Sequence, residues 1–182
     1  MRWAIIGLGN PMRQDDGFGR LLAQSLHQLH PDWPIWEASG ETTQLLTLIS
    51  ALDAVVLLDA TVGSGPPGTV LRHDATHQPV GLRRGQSSSH GMGLVEAIEL
   101  ARALEQLPSR VILFTAEALA FAHGEPPSPP VQNAIQDAHL LVEHEISCWL
   151  APTTQAPPDE RPCARTHWHD NSETAVEGSR HA

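Results

Sequence analysis

The chain has 182 residues, of which 41% are hydrophobic, and a formal net charge of −10 at pH 7. This length supports one compact domain with a sizeable core, and the acidic balance excludes a surface that neutralises nucleic-acid phosphates. Because the sequence contains no apolar run of about 18 residues and no signal-peptide pattern, we expect a cytoplasmic protein that does not bind membranes.

Short apolar runs alternate with amphipathic segments along the first 150 residues. The apolar runs predict strands, at residues 1–7, 34–38, 54–59, 69–74 and 110–115. Apolar residues spaced by three and four predict helices, at residues 18–29, 42–52, 90–107 and 130–150. Strands that alternate with helices favour the α/β class. We therefore predict a three-layer α/β/α sandwich of the phosphorylase/hydrolase type, built around a mostly parallel twisted sheet.

The composition changes after residue 150, where the chain becomes rich in Pro, Thr, Asp, Glu and His and nearly free of aliphatic side chains. Such a segment cannot bury enough apolar surface to fold. We therefore divide the chain into one domain over residues 1–150 and a disordered polar C-terminal tail over residues 151–182.

The segment GLGNPMRQDDGFG, residues 7–19, connects the first predicted strand to the first helix. It does not fit a dinucleotide-binding fingerprint, because Met12 stands at the third glycine position. A Walker loop is also excluded, because the chain contains no lysine. The loop instead presents two adjacent acids where an anion would have to bind. We interpret Asp15 as a helix cap and Asp16 as a candidate functional residue.

Two further polar residues are predicted at the same edge of the sheet. Asp59 ends the apolar run AVVLLD, and His90 follows a serine-rich loop at the start of a helix. Taken singly, Asp59 could be a turn residue or cap, and His90 could be a helix residue without a chemical role. Functional groups of open α/β sheets gather beyond the carboxyl ends of the strands, and two carboxylates with one imidazole suit a divalent ion such as Ni²⁺ or Zn²⁺. Asp16, Asp59 and His90 are therefore the predicted metal ligands, with catalysis acting through the metal.

Four ordered motifs resemble those of the hydrogenase maturation proteases, the endopeptidases that finish the large subunit of nickel–iron hydrogenases. They are IIGLGNPMRQDDGFG, the strand LLDAT with PPGTV after it, SSSHGMGLVEAIELARAL, and FTAEALAFAHGEPPSPPVQNAI. The match runs in order from Met1 to about Leu150 and so covers the whole predicted domain.

The resemblance implies an α/β/α protease that removes a short C-terminal extension from the large-subunit precursor after nickel insertion. It places the family's three metal-binding side chains at Asp16, Asp59 and His90, and it implies that the divalent metal is Ni²⁺ supplied by the nickel-loaded precursor. The segment EASGETT departs from the Asp-Gly-Gly-Thr of many members, and we expect Gly40 and Glu41 within it to help bind the substrate. We expect a monomer that acts on this protein partner.

Two other functions fit parts of this pattern. A binding module could check the nickel of the large subunit through the same three ligands without cutting the chain. Peptidyl-tRNA hydrolases also begin with a strand followed by GLGNP, on a related sheet. Their loop then supplies a histidine and an asparagine where this chain has MRQDDGFG, and the acidic balance is wrong for tRNA.

Overall fold

The computed structural model describes residues 1–63, 65–79 and 89–151, and the side chains of residues 89–92 lie outside this description. The strands are β1 (Trp3–Gly7), β2 (Ile35–Glu37), β3 (Ala54–Thr61), β4 (Val70–Asp74) and β5 (Arg110–Glu117). The α-helices are α1 (Phe18–Leu29), α2 (Thr42–Ser50), α3 (Ser89–Ala103) and α4 (Pro129–Leu150). A short 3-10 helix over Gln14–Gly17 precedes α1.

The strands form one sheet in the order β2-β1-β3-β5-β4. All neighbours are parallel except β4, which runs antiparallel to β5 at one edge, so the predicted mostly parallel sheet is confirmed. From β1 the chain moves outward to β2, and it then crosses back to place β3 on the other side of β1. This reversal creates a crevice beyond the carboxyl ends of β1 and β3, where ligands of open α/β sheets bind.

The helices cover both faces of the sheet, which confirms the three-layer architecture. Helices α1 and α4 pack on one face, against the even-numbered side chains of β3, such as Val56 and Leu58. Helices α2 and α3 pack on the other face, against Val55 and Leu57. Side chains of a strand alternate between faces, and since all eight residues of β3 are buried, this strand forms the centre of both cores.

The predicted and observed elements differ mainly at their ends. The bounds of α1 agree, whereas β3 and β5 each continue two residues past their predicted ends, as far as the pair Thr61 and Glu117. Helix α3 ends at Ala103 rather than at residue 107. The predicted tail lies outside the described residues except for Ala151. Among the helices that the structure describes, none has the length and apolar character needed to cross a membrane.

Candidate active site

Glycines shape the loop that carries Asp16. At Gly9 φ is +94°, and an added Cβ atom would overlap the carbonyl oxygen of Asp16. This position needs glycine both for its left-handed backbone and for space. A Cβ atom at Gly19 would overlap the carbonyl oxygen of Leu58 in β3. The loop therefore doubles back on itself and brings the start of α1 against the sheet, which buries Asp16 next to β3.

Asp16 has no exposed surface. Its Oδ2 accepts a hydrogen bond from the backbone N–H of Asn10 at 3.2 Å, and Nη1 of Arg13 lies 4.0 Å from the same oxygen. Asn10 is itself fixed, because its Oδ1 accepts a hydrogen bond from the N–H of Met12 at 2.9 Å. The loop thus orients the Asp16 carboxylate through its own backbone and keeps it out of bulk water.

Asp59 lies in the second half of β3 and is 2% exposed. Burial raises the pKa of its carboxyl from 3.8 to about 7 because the charged form is desolvated. The N–H of Ala60, which donates to Oδ1 at 2.9 Å, acts in the opposite direction, and the nearby charge of Asp16 raises the pKa further. The structure therefore brings Asp16 and Asp59 together, as the sequence predicted.

This pair fits a divalent cation. Two buried carboxylates that repel each other are costly when both are ionised, and a divalent ion between them would offset the repulsion and favour the charged form of Asp59. Carboxylate oxygens also leave the donor set open to an imidazole, which Ni²⁺ and Zn²⁺ both accept. Among the residues whose side chains are described, no group of three His, Cys, Asp or Glu residues forms a complete metal site.

The third predicted ligand, His90, lies in the first turn of α3, and its side chain lies outside the described residues, so its role stays a prediction. The start of α3 is fixed by a close packing contact at Gly93, which lies about one turn after His90. A Cβ atom there would overlap the carbonyl oxygen of Gly40. The Gly40 backbone, with φ of +83°, therefore packs directly on the start of the helix that carries His90.

Glu41 follows Gly40 and stands at the N-cap position of α2. Its side chain is exposed and accepts a hydrogen bond from the hydroxyl of Thr43. The predicted substrate-binding residues Gly40 and Glu41 thus form a surface loop beside α3, and their contact with substrate stays a prediction.

The interpretation of Asp15 as a cap of its own helix is wrong. Asp15 is fully buried, and neither the 3-10 helix nor α1 has a side-chain cap hydrogen bond. Its carboxylate instead accepts hydrogen bonds from the N–H groups of Leu119 (2.8 Å), Ala120 (3.1 Å) and Ser128 (2.6 Å) and from the Ser128 hydroxyl (2.8 Å). Asp15 therefore joins the loop after β1 to the loop between β5 and α4.

Glu117 is a buried carboxylate that the sequence interpretation did not assign to the site. It is 5% exposed and ends β5, where it pairs with Thr61 of β3. Its Oε2 accepts a hydrogen bond from the N–H of Gly63 at 2.6 Å. The signal in the sequence was an acid two residues after the apolar run RVILFT, a pattern close to the one that marked Asp59 at the end of AVVLLD.

The face of the sheet that packs on α2 and α3 becomes polar at its carboxyl edge. Four buried polar residues share this face on the two central strands, namely Asp59, Thr61, Thr115 and Glu117. The opposite face remains apolar at the same level, with Ala60 and Ala116. The buried polar residues that β3 and β5 contribute to this edge therefore all lie on the α2–α3 face of the sheet.

A comparison with protein families identifies the chain. The family model HycI, described as hydrogenase maturation protease, matches residues 21–145. This chain belongs to the hydrogenase maturation protease family. The match spans the region of Asp59 and the start of α3 and begins five residues after Asp16.

The chain is also similar in sequence to proteins named for hydrogenase expression and formation. It is 26% identical over 154 residues to the hydrogenase expression/formation protein HupD of Bradyrhizobium diazoefficiens, a match that covers 81% of this chain and 79% of HupD. It is 23% identical over 158 residues to HupD of Rhodobacter capsulatus, covering 85% and 75% of the two chains.

Solved structures share its fold. The hydrogenase maturating endopeptidase HybD from E. coli superposes with a TM-score of 0.69 at 24% identity, over 80% of this chain and 92% of HybD. The nickel–iron hydrogenase maturation protease HybD from Thermococcus kodakarensis gives a TM-score of 0.62 at 22% identity, over 80% and 99%. The three-layer sandwich around a mostly parallel sheet is thus confirmed by independent structures.

Family membership also decides between the functions that the sequence left open. The chain is an endopeptidase of hydrogenase maturation, so the peptidyl-tRNA hydrolase function is not supported. A binding module that does not cut is likewise disfavoured.

Proposed function

We propose that this enzyme acts in the cytoplasm as a monomer and removes the C-terminal extension from the precursor of a nickel–iron hydrogenase large subunit after nickel has been inserted. Asp16, Asp59 and His90 hold the divalent ion, which is Ni²⁺ brought by the precursor. Gly40 and Glu41 help to place the precursor tail beside α3.

The observation that carries this proposal is the buried pair of Asp16 and Asp59 at the switch point between β1 and β3. Two buried carboxylates close together are a poor structural choice for a core, and they become favourable when a cation binds between them. Since Asp59 has a pKa of about 7, it changes charge near neutral pH. A site of this kind suits an ion that arrives with the substrate.

The chain's own residues prepare this site in defined ways. The N–H of Asn10 and the side chain of Arg13 fix Oδ2 of Asp16, and the N–H of Ala60 fixes Oδ1 of Asp59. Burial excludes bulk water from both carboxylates, which strengthens their interaction with any cation. Asp16, Asp59 and His90 would hold a divalent ion, which would polarise the scissile carbonyl or activate a water for attack, so the proposal requires no serine or cysteine nucleophile.

The direct test is cleavage of a nickel-loaded large-subunit precursor, followed by mass spectrometry. The wild-type enzyme should shorten the nickel-loaded chain at one position and leave the nickel-free chain intact. Asp16→Asn and Asp59→Asn should each reduce the rate by about 100-fold or more, since each removes the charge of a ligand. His90→Ala should do the same if the histidine completes the site.

The matched control is Asp137→Asn, which removes an exposed carboxylate from α4 and should cleave at the wild-type rate. Circular dichroism should show that all variants are folded. Normal trimming by Asp16→Asn or Asp59→Asn would remove the basis of the site assignment, and equal trimming of nickel-free precursor would show that nickel is not needed.

A further inference from the structure

The C-terminal end of β5 is tied to both acid-bearing segments of the candidate site. On one side, the Asp15 carboxylate binds the N–H groups of Leu119 and Ala120, immediately after β5. On the other side, Glu117 binds the N–H of Gly63, in the loop that leaves β3. The residue after Asp15 is Asp16, and Gly63 lies four residues after Asp59, so β5 connects the two candidate ligands through short segments.

The contact between Glu117 and Gly63 is close and specific. A Cβ atom at Gly63 would overlap Oε1 of Glu117 and lie 2.9 Å from its carboxyl carbon. Glycine is therefore required for the carboxylate to reach the loop backbone. At Gly65, two residues further on, a Cβ atom would lie 3.4 Å from Cγ of Glu117, which is an ordinary contact.

The far end of the same loop is held by backbone hydrogen bonds to Glu117. The N–H of Gly68 donates to the Glu117 carbonyl at 2.7 Å, and the N–H of Glu117 donates to the Thr69 carbonyl at 3.0 Å. One residue thus anchors the loop at both ends, through its backbone at residues 68 and 69 and through its side chain at Gly63. The side chain is the only part of this anchor that a substitution can remove without breaking the sheet.

We propose that Glu117 is a positioning residue of this protease, which fixes the end of β3 and thereby the distance between Asp59 and Asp16. The inference rests on the proposed function, because it assumes that these two acids form the working site. Its carboxylate acts as a hydrogen-bond acceptor for the loop and does not hold the metal or transfer a proton. An amide oxygen at the same place can perform this task.

Four variants test the proposal: Glu117→Gln, Glu117→Ala, Gly63→Ala and Gly65→Ala. Glu117→Gln keeps an acceptor for the Gly63 N–H and should retain cleavage within about 3-fold of wild type. Glu117→Ala should lower kcat by about 10-fold or more with little change in KM, because the part-buried N–H of Gly63 loses its acceptor, which loosens the loop by about that factor. Gly63→Ala should reproduce this loss by displacing the carboxylate, and Gly65→Ala should not.

Amide hydrogen exchange provides a readout that does not depend on cleavage. Exchange of the amides at residues 59–63 should accelerate by about 10-fold in Glu117→Ala and Gly63→Ala and stay at the wild-type rate in Glu117→Gln and Gly65→Ala. If the wild-type enzyme does not cut the precursor, the proposed function fails, yet this exchange pattern still decides whether Glu117 braces the loop.

Three results would overturn the proposal. Glu117→Gln could be as inactive as Glu117→Ala, which would make the charge of Glu117, rather than its hydrogen bond, the required property. Gly63→Ala could behave like the wild type in both exchange and cleavage. Gly65→Ala could be as damaging as Gly63→Ala, which would show general sensitivity of the loop instead of a specific contact.

Discussion

The carboxylate of Asp15 accepts hydrogen bonds from both the backbone N–H and the hydroxyl of Ser128, at 2.6 and 2.8 Å, although 113 residues separate them. Ser128 is the N-cap residue of α4, so an acid next to a candidate metal ligand also fixes the start of the last helix. The contact is fully buried at Asp15, and Ser128 is 4% exposed. Loss of this contact should therefore affect both the stability of the fold and the geometry of the site.

Removing the Ser128 hydroxyl should destabilise the fold measurably. Ser128→Ala leaves Asp15 with three of its four donors and should lower the free energy of unfolding by about 1–2 kcal/mol. Asp15→Ala removes the acceptor of three N–H groups and of the buried Ser128 hydroxyl and should cost about 3 kcal/mol or more. Urea unfolding followed by circular dichroism measures both. The control is Ser147→Ala, which removes an exposed hydroxyl bound to the Glu143 carbonyl on the same helix and should change stability by less than about 0.5 kcal/mol. Equal effects of the two serine substitutions would contradict this role of Asp15.

The raised pKa of Asp59 predicts a particular pH dependence of stability. Because the folded pKa is about 7 and the unfolded value is 3.8, the folded protein holds a proton that the unfolded chain releases between these values. The contribution of Asp59 to the stability of the metal-free wild type should therefore fall as pH rises from 4 to 7 and then level off. The Asp59→Asn variant has no titrating carboxyl group at this position. Its free energy of unfolding should therefore rise relative to that of the wild type over this range by up to about 4 kcal/mol, at about 1.4 kcal/mol per pKa unit.

Denaturation of both proteins at pH 4, 6 and 8 measures this gap. Asp53→Asn serves as the contrast, since the hydrogen bonds from Arg2 lower the pKa of that exposed carboxyl. The interaction of Asp53 with Arg2 contributes stability that is present above the unfolded pKa of Asp53 and lost as pH falls. The stability difference between wild type and Asp53→Asn should therefore change with pH in the opposite direction to the difference between wild type and Asp59→Asn. A gap between wild type and Asp59→Asn that does not vary with pH would mean that Asp59 is ionised in the folded protein throughout.

The close approach of α1 to the sheet predicts a large cost for a single methyl group. Gly19→Ala places a Cβ atom against the carbonyl oxygens of Leu58 and Leu8, which belong to rigid backbone, and should destabilise the protein by about 3 kcal/mol. Thermal unfolding provides the measurement. Gly124→Ala is the control, because nothing lies within 4 Å of its Cβ position and only its φ of +78° opposes the change, which should cost about 1 kcal/mol. A smaller effect at Gly19 than at Gly124 would show that α1 can move away from β3.

The packing of Gly93 on Gly40 predicts a loss of cleavage that exceeds the loss of stability. Gly93→Ala should push the start of α3 away from the Gly40 carbonyl and so displace His90, lowering the cleavage rate by about 10-fold or more. Precursor cleavage and the thermal midpoint are measured on the same samples. Gln106→Ala, which alters an exposed side chain just past the end of α3, should cleave within about 2-fold of wild type. Wild-type cleavage by a folded Gly93→Ala variant would show that the packing of α3 on the Gly40 loop does not affect the site.

Local patterns were sufficient to predict most of the fold. The spacing of the apolar residues from Phe18 to Leu29 predicts α1 with its observed bounds. Phe18, Leu22 and Leu26 are fully buried on one stripe of the helix, whereas Leu29 is 63% exposed. The apolar run AVVLLD likewise indicates a central strand. Its extension to Thr61 depends on pairing with β5, a contact between distant segments that a local pattern does not contain.

The same distinction applies to the site. The proximity of Asp16 and Asp59 could be predicted because each lies next to a strand end, and the topology of a parallel sheet brings such ends together. The role of Asp15 could not, because its partners lie more than 100 residues away in the chain. Glu117 was missed because the apolar run of β5 ends at Thr115, two residues before it. The metal-binding roles of Asp16, Asp59 and His90 and the substrate-binding roles of Gly40 and Glu41 stay predictions.

The buried polar residues lie on only one face of the central strands, so the two faces of the sheet should tolerate amino-acid substitutions differently. Substitutions at the carboxyl edge beneath α1 and α4 meet packed alanines such as Ala60 and Ala116, where added volume has no space. On the other side, the Gly40 backbone packs on the start of α3, so we expect changes in the loop around Gly40 to alter the site while the α1–α4 core stays the same. Paralogues that mature different hydrogenases are therefore expected to diverge mainly on the α2–α3 side.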